Sequence, residues 1–525
     1  MFDSTDRFPT QLADITVSGF SASASLGIRC LNNKVINDRN NNVSFTFLFK
    51  EKEQSAGFLG WYVNNLEYGT KEFLVDVPMF GIMKTWRCIF TTKLAENVTS
   101  VEVRKISMTA RILDDLTTVR NVYNSLLSMP LINSLEMTQG SGEATFTRAS
   151  TATYIENGVL KYAVVDEPRF EKDGILIETS STNLQLYSSK ITSADYRAGN
   201  DGVLIEDYKS IDGNLNAALL KSSVDGDTYF YAYRSNTLSV GDIYTTSVFV
   251  NIGNMTQGSK VYIQTHSNIT NTSKSSYVGV FSDGTEYISD TSGILLNHNI
   301  EHIIDDWYRL QLTTTVGDVN GDGSDVTSGF YSIVTVSDGT TLGDGVIFCF
   351  PQIEKCRFAT SFIPTSDTAV TRRDDTVILP YENNTVDNTA ETSYFIEFAV
   401  LGNSGEEQAL FEKGRYLYNL LRVSNSMRLH LYSDAAEITS DVLNKGQTYK
   451  ACAIYSNVVG DKVDVSLYLN GELVGTKTGV KYNDINTNNG LTLGARVSGA
   501  NKYNGHIKNF KIFNRALTDK EVKLL

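Results

Sequence analysis

One stretch of the sequence places oxygen-bearing side chains at the spacing of a calcium loop. Four of them follow one another within eight residues: Asp318, Asn320, Asp322 and Asp325. Gly323 stands at the sixth position, where such loops turn sharply, but the twelfth position, which would carry a bidentate Glu, is Gly329. A complete EF-hand is therefore excluded. Two alternatives remain, a looser calcium cage or a solvated polar loop, and the missing bidentate ligand favours the polar loop.

Three tyrosines form a second pattern that could take part in ligand binding. Tyr229, Tyr231 and Tyr233 alternate along one predicted strand, so their side chains share one face. Such a face can belong to the core of a β-sandwich, which is our expectation, or it can serve as a platform on which sugar rings stack. The sequence alone does not decide between the two.

Patterns typical of catalysis are weak. His298, Glu301 and His302 match the H-x-x-E-H string, but that zinc chemistry requires a helix, and the string lies between predicted strands. Glycoside hydrolysis requires two facing carboxylates, yet Glu397 is isolated on its predicted strand. No glycine-rich phosphate loop and no G-x-S-x-G string occurs. We therefore expect a binding protein rather than an enzyme, with calcium as its one candidate cofactor.

Composition limits the partners. A chain of 525 residues exceeds the size of a single core and predicts several domains. The formal net charge of −14 disfavours nucleic acid and anionic membranes, which attract clustered Lys and Arg. No apolar stretch approaches the roughly 20 residues that span a bilayer, so membrane insertion is not expected. The N-terminus shows no secretory signal pattern.

The cysteines predict free thiols. There are five, an odd number scattered along the chain: Cys30, Cys88, Cys349, Cys356 and Cys452. Buried thiols of this kind are typical of proteins that fold in a reducing cytosol.

The elements that must position these residues are mainly β. Alternating apolar residues bounded by Asn-Gly and Asp-Gly turns predict a small N-terminal β domain (1–115) and two β-sandwich (jelly-roll) domains (203–379 and 380–525). Apolar residues at helical spacing from Leu116 to Leu127 predict a short helix that ends before Pro130. This helix and a linker fill 116–143. Short extended pieces in 144–202 predict a segment that threads along the neighbouring sheets.

Two phrases carry a family resemblance. The first comprises TFTRAS at 145–150, EPRFE at 167–171 and TNLQLYS at 182–188, and the second comprises TSFIPT at 360–365 and TRRDD at 371–375. Together they resemble a unit recurrent in virion proteins of tailed bacteriophages, which implies a β-sandwich of carbohydrate-binding type. The ending, from Tyr503 to Thr518, resembles the last strand of the concanavalin A-like, laminin-G-like jelly roll.

The resemblance implies a phage virion structural protein, a tail, baseplate, collar or fibre component, that displays lectin-like domains for adhesion to host-surface glycan. The N-terminal domain would bind other virion proteins. The chain would be a homo-oligomer, assembled in the host cytoplasm and exposed on the particle. Two alternatives stay open: a purely architectural collar, baseplate or capsid-decoration protein, and, with less support, a glycan depolymerase.

Overall fold

The structure is a computed structural model. It describes the strands of the N-terminal region and residues 125–525, apart from short gaps at 225–228, 239–240, 268–273, 291–294, 316–325, 338–344, 386–389, 403–404, 414–418, 424–427, 434–435 and 482–489. The chain divides into two compact units, Met1–Ser125 with Leu517–Leu525, and Leu126–Ala516. Among the described residues, 36 strands stand against one four-residue helix, so the prediction of a mainly β chain is confirmed.

The first unit contains one antiparallel sheet of five strands in the order β1-β2-β5-β4-β3. The strands are β1 (Asp14–Ser18), β2 (Asn42–Leu48), β3 (Phe73–Met79), β4 (Ile82–Phe90) and β5 (Lys105–Asp115). Helix α1 (Asp519–Val522) is also part of this unit and starts with a capping box between Thr518 and Glu521. No helix formed by the described residues is long and apolar enough to cross a bilayer.

Seven short strands follow in the second unit, before the first complete sandwich. They are β6 (Leu127–Met129), β7 (Thr145–Thr147), β8 (Ala152–Glu156), β9 (Val159–Ala163), β10 (Arg169–Glu171), β11 (Gly174–Ile177) and β12 (Ser181–Asn183). Strands β8 and β9 form a hairpin whose turn residues, Asn157 and Gly158, have φ of 51° and 79°. Positive φ at both positions is what a tight hairpin turn requires, as the Asn-Gly dipeptide predicts.

The middle sandwich consists of two six-stranded antiparallel sheets. The tyrosine sheet has the order β13-β16-β23-β18-β19-β20: β13 (Arg197–Gly199), β16 (Tyr229–Leu238), β18 (Lys260–Ser267), β19 (Lys274–Phe281), β20 (Glu286–Asp290) and β23 (Val326–Ser337). The partner sheet has the order β14-β15-β24-β17-β22-β21: β14 (Gly202–Lys209), β15 (Leu215–Ser222), β17 (Ile243–Asn251), β21 (Leu295–Ile304), β22 (Trp307–Thr315) and β24 (Gly345–Glu354). Aliphatic side chains from both sheets, such as Val261 and Leu310, form one core between them.

Strand β25 (Val370–Arg372) follows the middle sandwich and lies outside both sheets of the next one. The C-terminal sandwich is built from earlier strands together with β26 (Thr376–Ile378), β27 (Thr392–Val400), β28 (Gln408–Lys413), β29 (Asn419–Val423), β30 (Arg428–Ser433), β31 (Ala436–Val442), β32 (Thr448–Val459), β33 (Lys462–Leu469), β34 (Glu472–Lys481), β35 (Leu491–Leu493) and β36 (Gly505–Phe513). One sheet has the order β10-β11-β36-β27-β32-β33-β34, with β6 on β36, and the other β31-β30-β29-β28-β35-β26-β7. Strand β12 pairs with β25. The segment before the middle sandwich therefore contributes four strands, β6, β7, β10 and β11, to the C-terminal sandwich.

The structure corrects the end of the predicted linker helix. Residues 116–124 lie outside the described residues, but Leu127–Met129 is strand β6, paired with β36. Leu127, Met129 and Leu131 are completely buried in the C-terminal core. These buried residues recur at every second position, as in a strand. The long-range pairing with β36 decides between the helical and the strand interpretation. The helical interpretation of Leu127 is thus wrong.

Candidate functional site

The tyrosine sheet presents its aromatic side chains away from the core. In β16, Ala232 is buried in the core between the sheets, so Tyr231 points to the opposite, outward face and is half-buried there. The expectation that the tyrosines of this strand face the core is therefore wrong for Tyr231, because the smaller Ala232 takes the core position. The side chains of Tyr229 and Tyr233 lie outside the described residues.

More aromatic rings share this outward face. Tyr262 on β18 is paired with Gly279 on β19, and Gly279 is paired with Tyr287 on β20. The ring centroids of Tyr262 and Tyr287 are 5.6 Å apart, and those of Tyr262 and Tyr277 are 5.2 Å apart. Phe281 extends the cluster, 5.8 Å from Tyr287. We call this set, Tyr231, Tyr262, Tyr277, Phe281 and Tyr287, the aromatic face.

Gly279 makes this arrangement possible. A Cβ atom there would lie 2.6 Å from Cβ of Tyr262 and would overlap the carbonyl oxygen of Val261. Because the strand has no side chain at this position, the rings of Tyr262 and Tyr287 meet across it, a known way in which aromatic residues cover a glycine in a sheet.

Polar groups border the rings. Nζ of Lys260 lies 4.2 Å from the ring centroid of Tyr287 and 5.9 Å from that of Phe281, within cation–π range. Thr335 on β23 stands between Tyr231 and Tyr262 in the register, and its buried hydroxyl has no hydrogen-bond partner among the described residues. The aromatic face thus combines apolar ring surfaces with a cation and an unpaired hydroxyl.

Sequence reasoning missed most of this face. It singled out Tyr229, Tyr231 and Tyr233, and did not connect them with Tyr277 and Phe281. The signal was present, since Tyr277, Gly279 and Phe281 alternate along one strand in the same way. The pairing of five strands, β16, β23, β18, β19 and β20, that brings these residues together is not visible in the sequence.

A second cluster explains why the two family-specific phrases occur together. Arg169, from the first phrase, is fully buried and donates from Nη1 to Oε2 of Glu178 at 2.7 Å and from Nη2 to Oδ2 of Asp375 at 2.5 Å. Ser361, from the second phrase, donates to both oxygens of Glu178, through its amide to Oε1 and its hydroxyl to Oε2, each at 2.7 Å. The phrases are thus two halves of one buried polar network.

Two further arginines complete this network. Nη1 of Arg148 lies 3.3 Å from Oδ1 of Asp375, and Nε of Arg372 lies 3.5 Å from Oε2 of Glu178. Burial alone would raise the pKa of Glu178, but Arg372 and Arg169 outweigh that effect and hold it at about 2. Both carboxylates are occupied by internal partners. We call Arg148, Arg169, Glu178, Arg372 and Asp375 the ionic lock and assign it a structural role.

The predicted calcium residues, Asp318, Asn320, Asp322 and Asp325, lie outside the described residues, so calcium binding there stays a prediction. Among the residues that are described, no group of His, Cys, Asp and Glu is arranged to hold a metal ion.

The H-x-x-E-H string lies on strand β21, where alternation places Glu301 on the face opposite to His298 and His302. Nε2 of His302 is instead within hydrogen-bond distance of the carbonyl of Asp305, at 2.6 Å. The strand does not provide the helical geometry that the zinc chemistry of this string requires.

The remaining candidate residues from the sequence are Glu397 and the cysteines. Oε2 of Glu397 accepts a hydrogen bond from Asn509 at 2.7 Å, and its Oε1 lies 3.4 Å from Nζ of Lys508. Cys349, Cys356 and Cys452 are free thiols. Burial raises the pKa of the Cys349 and Cys452 thiols, which keeps both groups protonated at neutral pH.

One family model matches the C-terminal part of the chain. Residues 371–523 match the laminin G family model described as "Concanavalin A-like lectin/glucanases superfamily". No curated protein matches the chain.

Several solved structures are similar to parts of this chain. The CBM40 of Ruminococcus gnavus IT-sialidase shares 16% identity over 26% of this chain and 82% of its own, with a TM-score of 0.22. Domain 4 of AbnA, a GH43 extracellular arabinanase from Geobacillus stearothermophilus in complex with arabinotriose, shares 16% identity over 29% of this chain and 71% of its own, with a TM-score of 0.22. The binding domain of Paraclostridial Mosquitocidal Protein 1 shares 16% identity over 29% and 42%, with a TM-score of 0.22.

The family match agrees with the resemblance carried by the end of the sequence. The C-terminal sandwich contains a concanavalin A-like, laminin-G-like domain.

Proposed function

We propose that this chain is a virion structural protein of a tailed phage that binds host-surface glycan through the aromatic face of its middle sandwich. The observation that carries the proposal is the outward position of Tyr231, Tyr262, Tyr277, Phe281 and Tyr287 on one sheet, while the aliphatic residues of the same strands fill the core.

The chemistry of this face suits a saccharide. A sugar ring has an apolar face of C–H groups and an edge of hydroxyls, and tyrosine likewise joins an apolar ring to a polar tip. Tyr277 and Tyr287 are half-buried, which leaves part of each ring open to solvent. Lys260 supplies hydrogen-bond donors at the border. Binding sites of this kind combine apolar walls with few polar groups that fix orientation.

The assignment to a virion is supported by the two family-specific phrases and by the independent N-terminal sheet. The phrases meet in the ionic lock, so their residues have a joint structural task, as expected of a unit inherited as a whole. The N-terminal unit is the candidate for docking to other virion proteins. Several copies on one particle would raise a weak saccharide affinity through effective concentration, without new contacts.

Binding rather than catalysis is the proposed activity. Glu354 is a buried carboxylate whose pKa is raised, chiefly by burial, a feature that can mark a general acid. Its oxygens, however, accept hydrogen bonds from Ser181, Thr360 and Gln352, and the group is completely buried. Glu354 therefore has a structural environment rather than that of an acid facing a substrate.

A glycan array with the full chain tests the proposal. Tyr287→Ala removes a border ring of the aromatic face, and we expect at least a tenfold loss of retention on the glycans that the unaltered chain binds. Tyr162→Ala is the matched control, because Tyr162 is 51% exposed on the β9 strand, outside the aromatic face. Retention unchanged by Tyr287→Ala would refute glycan binding at this face, and the absence of any glycan retention by the unaltered chain would favour the architectural alternative. Release of reducing ends from host polysaccharide would instead support a depolymerase.

A further inference from the structure

A cleft of about 1080 Å³ opens between the middle and C-terminal sandwiches, on the side of the partner sheet that faces away from the tyrosine sheet. Its floor contains side chains of β21 and β22, among them Asn299, Glu301, Arg309 and Gln311. The β8–β9 hairpin forms one wall, and residues 399–401 and 445–446 of the C-terminal sandwich form another. The cleft is large enough for an oligosaccharide of two or three rings.

Lys445 is a cation without a partner in this cleft. It lies in the turn between β31 and β32, which is fixed because the amide of Gly446 donates to the carbonyl of Val400 at 3.0 Å. Among the described residues, none makes a hydrogen bond or an ion pair with the Lys445 ammonium. Burial lowers the pKa of Lys445 to about 8, with a further lowering by Arg309 and an opposing effect of Glu301. A half-buried, unpaired ammonium is unfavourable unless a ligand compensates it.

Arg309 adds a second cation with an unused donor. Its side chain is 9% exposed, and Nη2 donates to the carbonyl of Thr360 at 2.5 Å and to Oγ of Ser247 at 3.1 Å. The guanidinium lies 5.2 Å from the ring centroid of Phe249, which holds its plane in place. Nε is buried and has no hydrogen-bond partner among the described residues. A buried donor without an acceptor is destabilising, so an acceptor supplied by a ligand would stabilise this group.

The acidic residues of the cleft do not neutralise these two cations completely. Glu171 is paired with His506, whose Nε2 is 2.8 Å from its Oε2. Glu178 belongs to the ionic lock. Glu301 stands opposite Arg309 in the register of β21 and β22, but its carboxylate makes no ion pair with Arg309. Near Lys445, two positive groups therefore face one negative group, while the exposed Glu156 and Glu167 and the half-buried Asp173 line other parts of the cleft.

We propose that Lys445 and Arg309 form a subsite for the carboxylate group of an acidic saccharide bound in this cleft. The ligand carboxylate would lie between the Lys445 ammonium and the guanidinium of Arg309, and would compensate both cations. Glu301, Asn299 and Gln311 would bind the hydroxyls of the same sugar, since a carboxylate accepts and amides both donate and accept. The subsite is distinct from the aromatic face, and it rests on the proposed function only in taking a saccharide as the ligand.

The test uses the full chain on an array that carries uronic and sialic acid oligosaccharides, each beside its methyl ester. The ester removes the charge and leaves the sugar ring unchanged. We expect the unaltered chain to bind at least one acid at least tenfold more tightly than its ester, and Lys445→Gln to abolish this difference. Lys462→Gln, at an exposed position on β33, is the matched control for the loss of one positive charge and should behave like the unaltered chain.

A second readout does not depend on the substitution. Acylation of Lys445 by acetic anhydride, followed by peptide mass spectrometry, should be slowed by the acid that binds and not by its ester. Equal binding of all acids and esters, an unaltered acid preference in Lys445→Gln, or unprotected acylation would overturn the subsite. Tyr287→Ala separates the two proposals: it should weaken glycan retention while the acid preference persists. A chain that retains no saccharide on the array overturns both.

Discussion

Removal of Arg169 tests whether the ionic lock holds the second unit together. Arg169→Met preserves much of the side-chain volume but leaves Glu178 and Asp375 without their closest cation, at positions that are completely buried. Removing one partner of a buried ion pair typically costs about 3–5 kcal/mol, because the remaining charge stays uncompensated. Arg148 and Arg372, at 3.3 and 3.5 Å, retain part of the compensation, so we expect the lower end of that range, about 3 kcal/mol.

The acid dependence of stability gives a second value for the free energy that the ionic lock contributes to folding. The pKa of Glu178 falls from its ordinary value of 4.5 to about 2 on folding, which corresponds to roughly 3 kcal/mol. Since the folded pKa is the lower one, this stabilisation is complete above a pH of about 4.5 and is lost as the pH falls toward 2. In Arg169→Met the folded pKa of Glu178 rises, and the decrease in stability between pH 5 and pH 3 should become shallower.

Hydrogen exchange at peptides that cover β10 and β11 is the appropriate assay, because a chain of two units does not unfold in one transition. Arg169→Met should increase exchange there, and Arg169→Lys should have a smaller effect because it keeps the charge but lacks the two separate nitrogens that donate to Glu178 and to Asp375. The double variant with Glu178→Gln should be less destabilised than the sum of the single variants, because both members of the pair are then uncharged. Exchange rates equal to those of the unaltered chain would refute a stabilising lock.

Gly279→Ala should destabilise the tyrosine sheet by about 1–3 kcal/mol, seen as faster hydrogen exchange in β18 and β19, because the added methyl group overlaps the carbonyl of Val261. A chain of residues 126–525 should be soluble and retain its glycan-array profile but fail to enter virions; the deletion must stop at 125, since the next residues are core. Calorimetry should detect calcium at millimolar concentration only if the predicted cage exists, and Asp322→Ala should then abolish the heat. Retention of the acidic saccharide should fall between pH 7 and pH 9, as the Lys445 ammonium, with a pKa of about 8, loses its proton.

Local alternation was sufficient to predict much of the middle sandwich. Apolar and β-branched residues between turn residues predict strands at 244–251, 308–314 and 346–353. The structure has strands at Ile243–Asn251, Trp307–Thr315 and Gly345–Glu354. In each of them, apolar or β-branched residues alternate or run continuously between turn residues, and no distant contact is needed to recognise the pattern.

The errors arose where long-range pairing decides the structure. Leu127 fits both a helical and an alternating pattern, and its strand is determined by residues 510–512, almost 400 positions later. In β16, alternation predicts that the tyrosines share one face but not which face is buried. In the structure Ala232, and not Tyr231, belongs to the core between the sheets. Alternation along a strand shows which side chains share a face. Which of the two faces is buried depends on the sheet that packs against it.

The ionic lock also determines the geometry of the cleft. Arg169 donates to the carbonyl of Thr153 at 2.9 Å, and Thr153 lies on β8, in the hairpin that forms one cleft wall. Ser361, which binds Glu178, follows Thr360, whose carbonyl accepts from Arg309 on the cleft floor. The same buried charges thus connect a wall and the floor of the cleft through direct hydrogen bonds. The residues that resemble the phage unit thus line part of the cleft, as Glu171 and Thr360 do, and also fix the positions of Arg309 and of the β8–β9 hairpin. This is consistent with a site whose contacting residues are held in place by a second set of hydrogen bonds.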